Sequence, residues 1–138
     1  MRILGVSLTN GHAALVVIES DDGSWRLVDT TGTRTLEVGD HEDSRALQGF
    51  SSALDTFINS HGVQKIAVRR CTYRGQQRSG AGAIKMEALL QLMPQEVRLI
   101  APQTIAARFK KLGLSHPEGL TQYQHEAFET ALVARSEE

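Results

Sequence analysis

MRILGVSLTNGHAALVVIES, residues 1–20, is the stretch that decides the fold. In RILGVSL, residues 2–8, Ile3, Gly5 and Ser7 fall on one side of an extended chain and Leu4, Val6 and Leu8 on the other. Both sides are mostly apolar, as in a strand buried within a sheet. Asn10-Gly11 follows, a pair that readily takes positive φ and closes two-residue hairpins. His12 to Ser20 is then a second strand, antiparallel to the first. Asp21-Asp22-Gly23-Ser24 is another turn, and Trp25 to Thr30 is a third strand. The opening of the chain is thus an antiparallel meander.

Beyond it the period changes. Leu47, Phe50, Leu54, Phe57 and Ile58 carry a helical period within Glu42 to Ser60, closed by His61-Gly62. Lys65 to Arg70 is the fourth strand. A strand, helix, strand sequence of this length is a crossover, so the fourth strand runs parallel to the first. Ala81 to Met93 is the second helix, stopped by Pro94, and Glu96 to Ala101 is the fifth strand. Pro102 opens a third helix, and Leu120 to Arg135 is the last, with Tyr123, Ala127, Phe128, Ala131 and Leu132 on its apolar side. The order βββαβαβαα predicts one α/β domain over residues 1–138, with only residues 136–138 as a frayed tail. Its mixed five-stranded sheet has three antiparallel strands, then two parallel, with helices on both faces.

The composition narrows the function. The 138 residues include one cysteine, Cys71, so no internal disulfide forms, and a reducing compartment fits. No apolar run has membrane-spanning length and the N-terminus has no signal-peptide layout, so a cytoplasmic protein with no membrane partner is expected. Charge is uneven: residues 1–64 carry net −5, residues 65–111 net +8 and residues 112–138 net −4. Lys65 to Lys85, KIAVRRCTYRGQQRSGAGAIK, holds six of the fifteen Lys and Arg residues and no acid. Such asymmetry points to a surface that attracts a polyanion, against the alternative of solvated side chains flanking buried strands.

Several stretches resemble one family. MRILGVSLTNG stands where RuvC-type Holliday-junction resolvases have a first strand ending in an acidic residue. VQKIAV resembles their central strand, SGAGAIKMEALLQL their small-residue-rich helix, VRLIAPQTIAARFKK their strand, proline and Lys-bearing helix, and HEAFETALVA their closing helix. The resemblance implies the RNase H-like fold. PEGL and YQHEAFET also resemble a small bacterial family of unknown function within it, which implies no activity.

RuvC-type nucleases are two-metal phosphodiesterases whose carboxylates hold Mg²⁺. Carried over position by position, the strand-one acid falls on or near Ser7 and the strand-four acid on Arg69 or Arg70. Only the last helix keeps its pair, Glu126 and Glu129, on one helical face. The expectation is a nucleic-acid-binding protein whose metal site has degenerated, with no cofactor. In it Arg69, Arg70, Arg74, Arg78, Lys85, Arg108, Lys110 and Lys111 contact phosphate, and Glu126 and Glu129 are counter-charges to Arg69 or Arg70. The resemblance alone implies a homodimer. A second reading is a Mg²⁺-dependent nuclease with a displaced site on His125, Glu126 and Glu129, with Asp29 as a further ligand. A third is a protein-interaction module. Gly80 and Gly82 would let backbone amides approach a phosphate, or serve a flexible junction. Tyr73 would stack on a base or lie half-buried.

Overall fold

A computed structural model describes residues 1–30 and 32–137. In chain order it contains β1 (Arg2–Thr9), β2 (His12–Asp21), β3 (Ser24–Leu27), β4 (Thr35–Glu37), α1 (Ser44–Ser60), β5 (Lys65–Arg69), α2 (Ala81–Gln91), β6 (Glu96–Ile100), α3 (Pro102–Leu112) and α4 (Gln122–Ser136). The strands form one mixed sheet in the order β3-β2-β1-β5-β6, with β4 also paired to β2. β1 pairs antiparallel with β2 from Arg2↔Glu19 to Thr9↔His12, and parallel with β5 from Ile3↔Lys65 to Val6↔Val68. The expected α/β architecture is present, with its meander, crossover and helices on both faces.

The sheet has six strands rather than five. β4 is three residues with one half-buried side chain, too short to carry a period of its own. β3 ends at Leu27 rather than Thr30; beyond it, Thr30 Oγ1 donates to the Thr33 carbonyl at 2.7 Å. β3 and β4 therefore divide one edge of β2: β3 takes Ile18 to Asp21 and β4 takes His12 to Ala14.

Helix ends follow their caps. Asp43 accepts from the Arg45 amide, so α1 starts at Ser44 rather than Glu42. Thr121 and Gln124 form a reciprocal capping box that starts α4 at Gln122 rather than Leu120. α4 runs through Ser136, and the Glu137 carboxylate lies 2.5 Å from Arg98 and 2.6 Å from Arg108. Ser136 ends the helix and Glu137 caps it, within the stretch expected as a tail; Glu138 lies outside the described residues.

The alternation in β1 divides the core. Leu4, Val6, Ile66 and Val68 pack with Phe50, Leu54, Met86 and Leu90 of α1 and α2. On the opposite face, Ile3, Ala67 and Ile100 pack with Ile105 of α3 and the Ala127, Phe128, Ala131 and Leu132 side of α4. α4 lies so close to β1 that a Cβ on Gly5 would sit 2.0 Å from the Ala127 carbonyl oxygen and 2.8 Å from the Ala131 Cβ. The glycine and the alanines together let the helix rest on the strand backbone. That contact sets where the first turns of α4 stand relative to the end of β1. No helix among the described residues is long and apolar enough to cross a membrane.

Candidate functional site

β1, β5 and α4 pack against one another, an arrangement that the resemblance implied. Ser7 shares the α4-facing side of β1 with Ile3 and Gly5, and Arg69 shares that side of β5 with Ala67. Ser7 Oγ donates to Glu126 Oε2 at 2.8 Å, and Arg69 Nη1 lies 3.6 Å from the same oxygen. Ser7 is buried, whereas the Arg69 and Glu126 side chains are 36% and 48% exposed. The ion pair is open to water and is worth only about 0.2–1 kcal/mol. Its importance is positional: a guanidinium occupies the space in front of the carboxylate. The choice between Arg69 and Arg70 resolves by parity. Arg70 lies one residue past β5, its amide bonded to the Ile100 carbonyl at 2.8 Å and its side chain in solvent.

Glu126 and Glu129 were expected to answer the arginines together, but they separate. Glu129 Oε2 is 2.7 Å from His116 Nε2. The His116 ring is layered between His125, with centroids 4.2 Å apart and planes 10° from parallel, and Phe109, at 5.4 Å and 18°. His116, His125, Glu126 and Glu129 line a cavity of 220 Å³ with Arg69, Pro102, Ile105 and Gln122. His116 was missed because its loop reaches α4 only through the tertiary fold; neighbouring Pro117 marks a turn and nothing more.

The residues present do not fit a two-metal centre. A hydroxyl and a cation stand where β1 and β5 would supply carboxylates, and among the described residues no three His, Cys, Asp or Glu side chains are grouped to hold a metal. Asp29 lines clefts beside β3 and β4, away from the cavity that holds Glu126 and Glu129.

The expected phosphate contacts divide into two groups. Arg70, Arg74 and Arg78 are exposed on the loop between β5 and α2. Lys85, the last cation of that stretch, is partly withdrawn, its Nζ donating to the His41 carbonyl at 2.9 Å. Arg108, Lys110 and Lys111 belong to α3. Arg108 is engaged by Glu137, and the two lysines occupy the last helical turn, where cations suit the helix dipole.

The loop also contains a group that the sequence did not reveal. Glu87, on α2, is buried; its Oε2 accepts from the Cys71 amide at 2.6 Å and its Oε1 from the Tyr73 hydroxyl. The Glu87 bond, then burial, pushes the Tyr73 phenol up to about 12. Burial, then the Glu87 charge, pushes the Cys71 thiol up to about 11, which suits a packed thiol rather than a nucleophile. Gly80 and Gly82 have a packing reason: a Cβ on either would come within 2.9 Å of Asn10 Oδ1 in the hairpin turn. Tyr123, expected on the apolar side of its helix, is 52% exposed and stands edge-on to His12 at 5.0 Å.

The family model described as "Protein of unknown function (DUF3010)" matches residues 1–134. No curated protein matches the chain. Among solved structures, Thermus thermophilus RuvC in complex with a Holliday junction substrate is similar at a TM-score of 0.68 and 15% identity, with 99% of this chain and 96% of that chain covered. Another T. thermophilus RuvC structure gives the same TM-score and identity, covering 99% and 97%. Fowlpox virus resolvase, in complex with Holliday junction DNA, is similar at 0.51 and 11%, covering 99% and 98%. The architecture is the RNase H-like fold of RuvC.

Proposed function

The chain belongs to the DUF3010 family, and from that premise and the geometry we propose that it is a cytoplasmic nucleic-acid-binding protein in which two-metal phosphodiester chemistry has been lost. The observation that carries this reading is the Arg69 guanidinium 3.6 Å from Glu126, with Ser7 bonded to the same oxygen. A divalent cation there would face the Arg69 positive charge at short range, and would lack the hard anionic ligands that Mg²⁺ requires.

Binding is supported by the basic loop. Arg70, Arg74 and Arg78 project from the same end of β5 that presents Arg69, with no acidic residue between Lys65 and Lys85. Guanidinium groups suit phosphate oxygens because their donors can pair bidentately. One of the similar RuvC structures and the fowlpox resolvase structure were solved with Holliday junction DNA, so a four-way DNA junction is the first ligand to test.

The test incubates the protein with four-way, single-stranded and duplex DNA and RNA, with Mg²⁺ or Mn²⁺, beside a Glu126→Gln/Glu129→Gln variant. The expected result is binding that weakens steeply with salt, as counterion release requires, and no cleavage by either protein. Cleavage by the parent that the variant loses would overturn the loss of chemistry. No binding at low salt would overturn the nucleic-acid reading.

A further inference from the structure

The loop from Thr72 to Ser79 is closed at its base. The Ser79 amide donates to the Thr72 carbonyl at 2.6 Å, and the Thr72 amide to Ser79 Oγ at 3.0 Å. Six residues, Tyr73 to Arg78, form the excursion, and all are exposed. Nothing apolar covers them; inside the loop the Arg78 amide and Nη1 both reach the Gly75 carbonyl at 3.4 Å, and the other ties are the base and whatever holds Tyr73. That anchor is Glu87, a buried carboxylate with one oxygen on the Cys71 amide before the loop and the other on the Tyr73 hydroxyl within it.

A carboxylate is costly to bury, and this one is stabilised by two donors that flank the start of the loop. Neither Glu87 nor Tyr73 belongs to the cluster around Glu126, so no catalytic demand of that cluster accounts for them.

We propose that Glu87 is the positioning residue that presets the Thr72–Ser79 loop as a rigid grip for nucleic-acid phosphates, with Arg74 and Arg78 as its contacts and Tyr73 as its tether. This rests on the nucleic-acid reading above. It also assigns Tyr73 a role different from base stacking, since the hydroxyl is tied down to the core. Presetting matters because a loop already ordered loses less freedom on binding.

The charge of Glu87 makes the test sharp. Removing a negative group strengthens attraction for a polyanion, whereas removing the anchor of the grip weakens binding. Affinity for a labelled four-way DNA junction is measured across a salt series for Glu87→Met, Glu87→Gln, Tyr73→Phe and Arg74→Ala/Arg78→Ala, and amide exchange of the loop is measured without DNA. Glu87→Met and Tyr73→Phe are expected to bind roughly fivefold to tenfold more weakly, with faster exchange from Thr72 to Ser79. Glu87→Gln, which keeps a carbonyl acceptor for the Cys71 amide, stays near the parent. Arg74→Ala/Arg78→Ala loses about two units of the salt slope.

Tyr73→Phe alters a half-exposed side chain and keeps the test open if Glu87→Met fails to fold. Tighter binding by Glu87→Met, or unchanged affinity in both it and Tyr73→Phe, would overturn the positioning role. Normal binding by Arg74→Ala/Arg78→Ala would remove the grip while leaving the protein a nucleic-acid binder. Failure of the parent to bind would overturn both readings.

Discussion

Glu126 on α4 and Glu87 on α2 reach the same end of β5 from opposite faces of the sheet, and they are satisfied by different means. Glu126 is half-exposed, with a hydroxyl and a cation around one oxygen. Glu87 is buried, with an amide and a phenol on separate oxygens. In water a carboxylate tolerates a loose partner, because solvent completes its shell. In the core each oxygen needs a placed donor, and an error in placement costs the full desolvation. Glu126 therefore stands where solvent can replace its partners, and Glu87 where nothing else can.

The severest way to break this contrast is through Gly5. Replacing it with alanine drives a Cβ into the Ala127 carbonyl oxygen and pushes α4 off β1. The expected cost is about 3 kcal/mol, seen as a lower urea midpoint. The shift should separate Ser7 from Glu126 while the Glu87 side stays intact. A midpoint equal to the parent's would mean that α4 does not rest on the β1 backbone at Gly5.

Truncating each glutamate sharpens the contrast directly. Glu87→Met leaves the buried Cys71 amide without its acceptor and should cost about 1–3 kcal/mol. Glu126→Gln should cost less than about 1 kcal/mol, since its ion pair is open to water. Equal losses in denaturant unfolding would erase the distinction between the two sites.

A separate effect is on alkaline stability. Folding raises the Cys71 thiol from 9.0 to about 11 and the Tyr73 phenol from 10.0 to about 12. The folded state therefore holds more protons than the unfolded state across that range, and its stability falls as pH rises. The contribution is fully present below the ordinary values and is lost as pH climbs through the folded ones. Tyr73→Phe should flatten the upper part of this decline in denaturant midpoints measured from neutral to alkaline pH. An unchanged slope would disconnect the phenol from Glu87.

The two glutamates also differ in how visible they were from sequence. Glu126 lies in HEAFETALVA, whose resemblance to a resolvase helix marked it, and the alternation of β1 placed Ser7 opposite that helix. The turn and crossover signals predicted the topology for the same reason: they are local. Glu87 lies in an ordinary helical stretch, and its burial depends on a loop folding back over α2. His116 likewise meets Glu129 only through α3–α4 packing. Short β4 was invisible because its place on the edge of β2 comes from pairing and not from its own three residues.

That edge of β2 has a consequence for solubility. The Leu15 amide donates to the Arg34 carbonyl at 2.9 Å, and its carbonyl accepts from Gln124 Nε2 at 3.1 Å. The Val17 carbonyl accepts from Val28 at 2.9 Å. Between β3 and β4, where an unpaired strand would invite a foreign one, backbone and a glutamine amide from α4 cap the exposed groups. The opposite edge, β6, carries exposed Glu96 and Arg98, charges that discourage strand addition. With the gap between β3 and β4 filled, that stretch of β2 resists strand addition, and Gln124→Leu, which uncaps Leu15, would be the first place for that protection to fail.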